Sequence, residues 1–301
     1  MVKQRRNIHA FVVLLRNLLW EFSLLWYNLI RSLPLRKEHN MEFTSLWQEF
    51  SKIPEVEAIA LGGSRATDNY DETSDYDLYI YCSSIPDEAT RLTILKRFCS
   101  HIEVGNHFWE LEDDCTLMSG QDIDILYRDI NQIRNELVDV VEKCKIQNAY
   151  TTCLWHNVLN SKILYDSSDK LKCIVNRFDI DYPQKLKQTI LSHHMNLLTG
   201  YLPSYDKQII KAAMRKDIVS FNHRVTAFLE TYFDLIFALN MLTHPGEKRM
   251  IDYAEQNAQY LPRHFQKNIK RLIYGATGHP NEIQDILNDI LNELTLLLHN
   301  N

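Results

Sequence analysis

Leu61-Gly62-Gly63-Ser64-Arg65-Ala66 is followed by Ser74-Asp75-Tyr76-Asp77-Leu78-Tyr79-Ile80-Tyr81, and these two stretches together decide how the chain reads. Just ahead of them, Glu57-Ala58-Ile59-Ala60-Leu61 has the apolar run of a short buried strand. Two glycines then permit a tight turn with close backbone approach to a ligand. Such a turn presents N–H groups to an anion, and a helix starting nearby adds its dipole. Ser64 donates a hydroxyl there or caps that helix. Ten residues separate Ser64 from Asp75. In a strand, Asp75 and Asp77 share one face, while Tyr76, Leu78 and Ile80 share the other. Two carboxylates with no lysine between them repel unless a cation joins them. Mg²⁺ suits, because it takes few carboxylates and completes its shell with water and phosphate.

Gln121-Asp122-Ile123-Asp124-Ile125-Leu126-Tyr127 repeats the acid pattern on what reads as a neighbouring strand. A third carboxylate there shares a second metal and helps to deprotonate an attacking hydroxyl. Asp124 is the choice for that role, and Asp122, on the same strand face, is the alternative. Taken singly, a Gly-Gly-Ser turn is usually only a turn, and an Asp-x-Asp only a solvated strand end. At this spacing, between apolar strands and with a further acid strand downstream, chance is a poor explanation.

Gly63-Ser64, ten residues, then Asp75-x-Asp77 resembles the signature of the DNA polymerase beta-like nucleotidyltransferase superfamily. The chain is most similar to bacterial proteins that join this domain to a C-terminal helical domain, as aminoglycoside and lincosamide nucleotidyltransferases do. The resemblance is specific over about residues 56–130 and looser beyond. It implies Mg²⁺-dependent transfer of a nucleoside monophosphate, usually AMP from ATP, onto a hydroxyl with release of pyrophosphate. An antibiotic of those two types, and hence resistance to it, is the acceptor so implied. Gly63 and Ser64 would bind the triphosphate, and Arg65, directly after the turn, either reaches phosphate too or pairs with Asp68 or Asp71. Asp75, Asp77 and Asp124 would be the catalytic carboxylates, holding two Mg²⁺ ions. Two rival readings stand beside it: an antitoxin-type transferase that modifies protein side chains, and a non-catalytic nucleotide-binding protein. The first usually has a single small domain, and the second does not need all three acids.

The expected fold is an α/β (α+β) domain with a small mixed sheet, about residues 41–165, followed by a helical bundle over 166–301. With 301 residues, two modest cores fit. Eight glycines and eight prolines leave room for few long loops, consistent with a helix-rich chain. The formal charge of −6 argues against a general nucleic-acid binder or a tailing enzyme. The six cysteines form no Cys-x-x-Cys pair and lack zinc-site spacing, so reduced thiols in a cytoplasmic protein are expected.

Residues 1–40 form a basic and apolar extension. Ala10–Ile30 is rich in Leu, Val, Phe and Trp but broken by Arg16 and Glu21. A membrane-spanning helix is disfavoured, since each central charge costs ~2.5–3.5 kcal/mol on insertion scales. A secretory signal is disfavoured by the same charges and the lack of a small-residue cleavage site. An interfacial or packed helix tolerates them, and any membrane contact would come through this segment. Alternatively Met41 is the true start, with Pro34–Asn40 a linker.

Apolar spacing predicts helices over 42–52, 87–102 and 131–145, strands over 56–61, 76–82 and 122–127, and a short strand over 161–166 that closes the sheet. Residues 107–117 are ambiguous, and 150–180 read mostly as a connector with a helix over 170–178. Helical stripes at 220–242 and 281–299 need no explanation beyond core packing. In the helical half, Thr243-His244-Pro245-Gly246-Glu247-Lys248-Arg249 follows a helix end, and Lys248 there is expected to neutralise the triphosphate as a point charge. Glu110, Glu112, Asp113 and Asp114 make an acidic cluster suited to a cationic acceptor, or merely a solvated loop. His193-His194 is a poor chelate, since adjacent helical residues diverge.

Overall fold

The structure, a computed structural model, describes residues 34–66, 74–108, 110–275 and 279–300, with the backbone alone for 34–40. Helix α1 (Pro34–Phe50) leads into β1 (Val56–Leu61), a short helical turn at Ser64–Ala66, and β2 (Tyr76–Cys82). Then come α2 (Glu88–Leu95), β3 (Cys99–Asn106), β4 (Glu112–Leu117), β5 (Asp122–Asp129) and α3 (Ile130–Leu137). Helix α4 (Cys153–Asn160), edge strand β6 (Lys162–Asp166) and α5 (Lys170–Phe178) complete the first part. Among the described residues the strands form one six-stranded sheet in the order β3-β4-β5-β2-β1-β6. Its central pair, β2 with β5, is parallel, and the other pairings are antiparallel. The sheet is therefore mixed, and β6 closes the edge beside β1 as the sequence predicts.

Strand alternation divides the core. Tyr76, Leu78 and Ile80 pack with Ile123, Ile125 and Tyr127 against Phe43, Leu46 and Phe50 of α1. On the other face, Tyr79 and Tyr81 pack under Ile130 and Ile133 of α3, Trp155 and Val158 of α4, and Leu171 and Ile174 of α5. On that same face Asp77 is partly buried, as is Asp75 just ahead of the strand.

The helical half contains α6 (Gln184–Met195), α7 (Tyr205–Met214), α8 (Ile218–Leu239), α9 (Met250–Asn257), α10 (Phe265–Tyr274) and α11 (Pro280–His299). Phe228, Tyr232, Phe237, Ile269, Leu272, Ile286, Leu287 and Leu294 form its core at three-and-four spacing. An α/β nucleotide-type sheet followed by an all-helical region is the expected fold class. No helix among the described residues is long and apolar enough to cross a membrane.

Four local expectations differ. The helix expected over 87–102 stops at Leu95, and Cys99–Asn106 is a strand. Pairing with β4 outweighs the helical spacing of Leu92, Leu95 and Phe98, because strand formation is decided by tertiary partners. The expected linker Pro34–Asn40 is helical and continuous with α1. The helix expected over 131–145 begins at Ile130 and its regular α-helical part ends at Leu137; Asp129 caps it, accepting from the N–H of Asn131 at 2.7 Å and of Gln132 at 3.0 Å. The stretch read as a connector contains α4, whose Trp155 and Val158, three apart, are both buried. The readings placed on residues 1–33 lie outside the described residues. All six cysteines are free.

Candidate active site

The Gly62-Gly63 turn rests directly on the acid-bearing strand. The N–H of Gly62 donates to the carbonyl of Asp77 at 2.8 Å, continuing the β1–β2 ladder into the turn. Gly63 has φ of 59°, where a side chain is strained, and a Cβ there would overlap the Asp77 carboxylate. A Cβ on Gly62 would overlap the Tyr79 ring. Both glycines are therefore required by contact with β2. Arg65 turns back from this segment: its Nε donates to the carbonyls of Ser74 at 2.8 Å and Asp75 at 3.0 Å. Its guanidinium also lies 4.0 Å from the Tyr76 ring centroid. These contacts fix the backbone that carries Asp75. The alternative pairing of Arg65 with Asp68 or Asp71 falls outside the described residues.

Register aligns three carboxylates across three strands. Asp77 lies level with Asp124 on the parallel neighbour, and Asp124 lies level with Asp114 on the next strand. Asp122 is paired with Thr116 instead, whose hydroxyl donates to it at 2.9 Å. Burial, and then the charge of Asp75, raise the pKa of Asp77, while Lys248 and Arg128 pull it down. Asp124 is pushed up to about 6, first by burial and then by Asp75, Asp77, Asp114 and Glu112. An open groove of about 440 Å³ runs past this row, lined by Asp75, His101, Glu103, Asp114, Thr116, Asp122 and Asp124. A larger hollow of about 680 Å³, between α10 and α11, is lined by Lys267, Lys270, Arg271 and Tyr274 and holds none of these acids.

The acidic cluster of the sequence separates into different roles. Asp113 points to the opposite face, fully buried, accepting from Arg91 Nη1 at 2.6 Å and the N–H of Gly105 at 2.9 Å. Glu110 accepts from Arg128 Nε and Nη2, both at 2.7 Å. Asp114 accepts from the Asn106 amide at the groove. Glu112 is buried near Asp114, and its pKa is raised by that burial and then by the Asp114 charge.

Arg128 was not singled out by the sequence, although strand alternation puts it on the face of Asp122 and Asp124. It is buried, its Nη1 donates to Asn157 Oδ1 at 2.7 Å, and its guanidinium lies 4.0 Å from the Tyr79 ring centroid. Asn157 Nδ2 in turn donates to the Tyr79 hydroxyl at 2.8 Å. The platform under the Gly62 turn is thus Tyr79 held by Arg128 and Asn157. Asn157 lies on α4, in a stretch that the sequence pattern reads as a connector.

From the helical half, the segment between α8 and α9 brings Lys248 within electrostatic range of Asp77. Lys248 and Arg249 are both exposed. Asn240 is a structural pin instead: its amide donates to the Tyr260 carbonyl, and its carbonyl accepts from the Tyr260 N–H at 2.7 Å. The two adjacent histidines diverge as expected. His194 is buried against Asp234 at 2.8 Å, and His193 meets Asn148 at 3.1 Å.

The donor set suits a hard divalent cation. Asp75, Asp77 and Asp124 offer only carboxylate oxygens, and the pKa of Asp124 is raised first by burial and then by neighbouring like charges, the part that a cation would relieve. Among the described residues no three His, Cys, Asp or Glu side chains converge closely enough to enclose an ion by themselves.

A glycine turn packed on an acid strand, inside a mixed sheet, fits the nucleotidyl-transfer domain that the sequence resembles. The comparison with family models agrees: residues 44–150 match the nucleotidyltransferase domain. The chain thus carries a nucleotidyltransferase domain over residues 44–150. No curated protein sequence matches it. Among solved structures it is similar to a nucleotidyltransferase-like protein from Exiguobacterium sibiricum, with 11% identity and a TM-score of 0.39 over 87% of this chain and 80% of that one. It is also similar to an aminoglycoside 6-adenyltransferase from Bacillus subtilis, with 9% identity and a TM-score of 0.25 over 84% of this chain and 89% of that one.

Proposed function

We propose that the protein moves a nucleoside monophosphate, AMP from ATP, onto a hydroxyl of a small molecule of the aminoglycoside or lincosamide kind. The observation that carries this reading is the row Asp77–Asp124 on adjacent parallel strands, with Gly63 packed against the Asp77 carboxylate. Asp75, Asp77 and Asp124 would hold Mg²⁺, which when bound neutralises the triphosphate and lowers the pKa of the attacking hydroxyl. Gly63 and Ser64 bind the β- and γ-phosphates through the turn. Arg65 serves them by fixing the backbone that carries Asp75. Asp124 also assists removal of the proton from the acceptor hydroxyl. Lys248 approaches the leaving pyrophosphate from the helical half. The open groove beside the row is acidic, which favours a cationic acceptor.

Incubation of the full chain with labelled ATP, Mg²⁺ and cell lysate tests the choice of acceptor. Label in a small-molecule fraction is expected. Label in a protein band would instead favour a protein acceptor. ATP binding with no transfer to any fraction would favour a non-catalytic nucleotide sensor.

A further inference from the structure

Helix α4 joins the two halves of the site through neighbouring residues. Asn157 faces the sheet, bonded to Tyr79 beneath the Gly62 turn and to Arg128. His156 faces the helical half. Its Nδ1 shares a 2.8 Å hydrogen bond with the Thr243 hydroxyl, and its ring meets the Tyr253 ring edge-on at 5.8 Å. Thr243 and Tyr253 flank the segment that carries Lys248, so His156 holds that segment at both ends. One turn earlier, Thr152 Oγ1 accepts the N–H of His244 at 2.9 Å, and His244 Nδ1 accepts the N–H of Gly246 at 3.1 Å. Burial lowers the pKa of His156, so it makes these contacts as a neutral ring.

We propose that His156 is a positioning residue for nucleotidyl transfer, acting through Thr243 and Tyr253 to hold Lys248 over the Asp75/Asp77 pair. Nothing else in the described contacts links the Lys248 segment to α4 from both sides. The proposal rests on Lys248 as the triphosphate ligand. Its consequence is specific: removing His156 should weaken nucleotide binding only while Lys248 is present, because the lysine is what it positions.

The test is a double-mutant cycle on the full chain, with Mg·ATP, Mg·GTP, Mg·CTP and Mg·UTP each titrated calorimetrically. For the nucleotide the wild type prefers, Lys248→Ala is expected to weaken binding about tenfold, as loss of a charge-assisted contact does. His156→Ala should weaken it about fivefold, within the range of coupling through a packed network. The double variant should bind no more weakly than Lys248→Ala alone. His156→Asn, which keeps a polar atom near the Nδ1 position, should restore most of the affinity. Thr243→Val removes the same hydrogen bond from the other side and stands in if His156→Ala lowers the melting midpoint. Additive losses, or unchanged affinity in both His156→Ala and Thr243→Val, would overturn the positioning role while leaving Lys248 a ligand. Unchanged affinity in Lys248→Ala would overturn the reading of Lys248 and this proposal with it.

Discussion

Asp113 and Asp114 are neighbours on one strand, yet the protein treats them in opposite ways. Asp113 faces the closed side of the sheet, is fully buried, and is bonded to Arg91 and the Gly105 N–H. Asp114 faces the open side, level with Asp124, which is level with Asp77. On the closed face a carboxylate is matched by a cation inside the protein. On the open face carboxylates are set beside one another, and the nearest basic side chains, Lys248 and Arg128, offset the field at Asp77 only in part. The contrast separates charge used for folding from charge kept for a ligand. Clustered like charges raise carboxylate pKa values and cost stability, so their alignment in register is evidence of a site.

Substitutions on the two faces should therefore fail differently. The largest effect is expected from Asp75→Asn, which should reduce turnover by about a thousandfold, the scale seen when a group that stabilises developing charge is removed. Its unfolding midpoint should stay at the wild-type value. A matching loss of stability would move Asp75 to the structural class. Next is Arg91→Met, which strands the Asp113 carboxylate. It should cost about 3 kcal/mol in denaturant unfolding, while a joint Arg91→Met, Asp113→Leu change should recover most of that. Activity per folded molecule should persist in both, since neither side chain reaches the open face.

Gly63→Ala comes third. A side chain at φ of 59° costs about 1–2 kcal/mol and also crowds Asp77, so stability and nucleotide affinity should fall together. Equal nucleotide affinity in this variant would separate the turn from the site. The smallest effect has the opposite sign. The pKa of Asp124 is raised in the folded state from 3.8 to about 6. Such a carboxylate favours folding while protonated, and that contribution is lost as pH rises from about 4 to 6. Asp124→Asn should therefore stabilise the metal-free protein above pH 6. Discounted for its half-exposed setting, the gain is about 1 kcal/mol, and it should vanish below pH 4. Thermal melts at pH 7.5 and at pH 3.5 read the gain and its disappearance.

Much of this arrangement is legible in the sequence, because strand alternation and the glycine turn are local signals. β1, β2, the closing strand β6 and the face shared by Asp75 and Asp77 follow from period two and the turn residues alone. The level pairing of Asp77 with Asp124 does not, since register between distant strands depends on how the sheet assembles. A related limit explains β3: its helical spacing is genuine, but the pairing with β4 that overrides it lies outside any helical repeat. Helix α4 leaves a weak sequence signal, because it is only eight residues long and its neighbours read as loop, although Trp155 and Val158 hint at a buried side. With it go His156 and Asn157. Arg128 was within reach of the alternation rule. Its value lies in reaching Glu110, Asn157 and Tyr79 together, which no spacing reveals.

The central claim is that the open-face acids serve Mg²⁺-dependent nucleotidyl transfer. The most direct measurement is pyrophosphate release by the full chain, with each of the four nucleoside triphosphates, with and without Mg²⁺, across a panel of aminoglycoside and lincosamide acceptors. The expected result is release that requires Mg²⁺ and an acceptor and is lost in folded Asp77→Asn. Release that persists undiminished in Asp77→Asn, or no release from the wild type under any of these conditions, would contradict it.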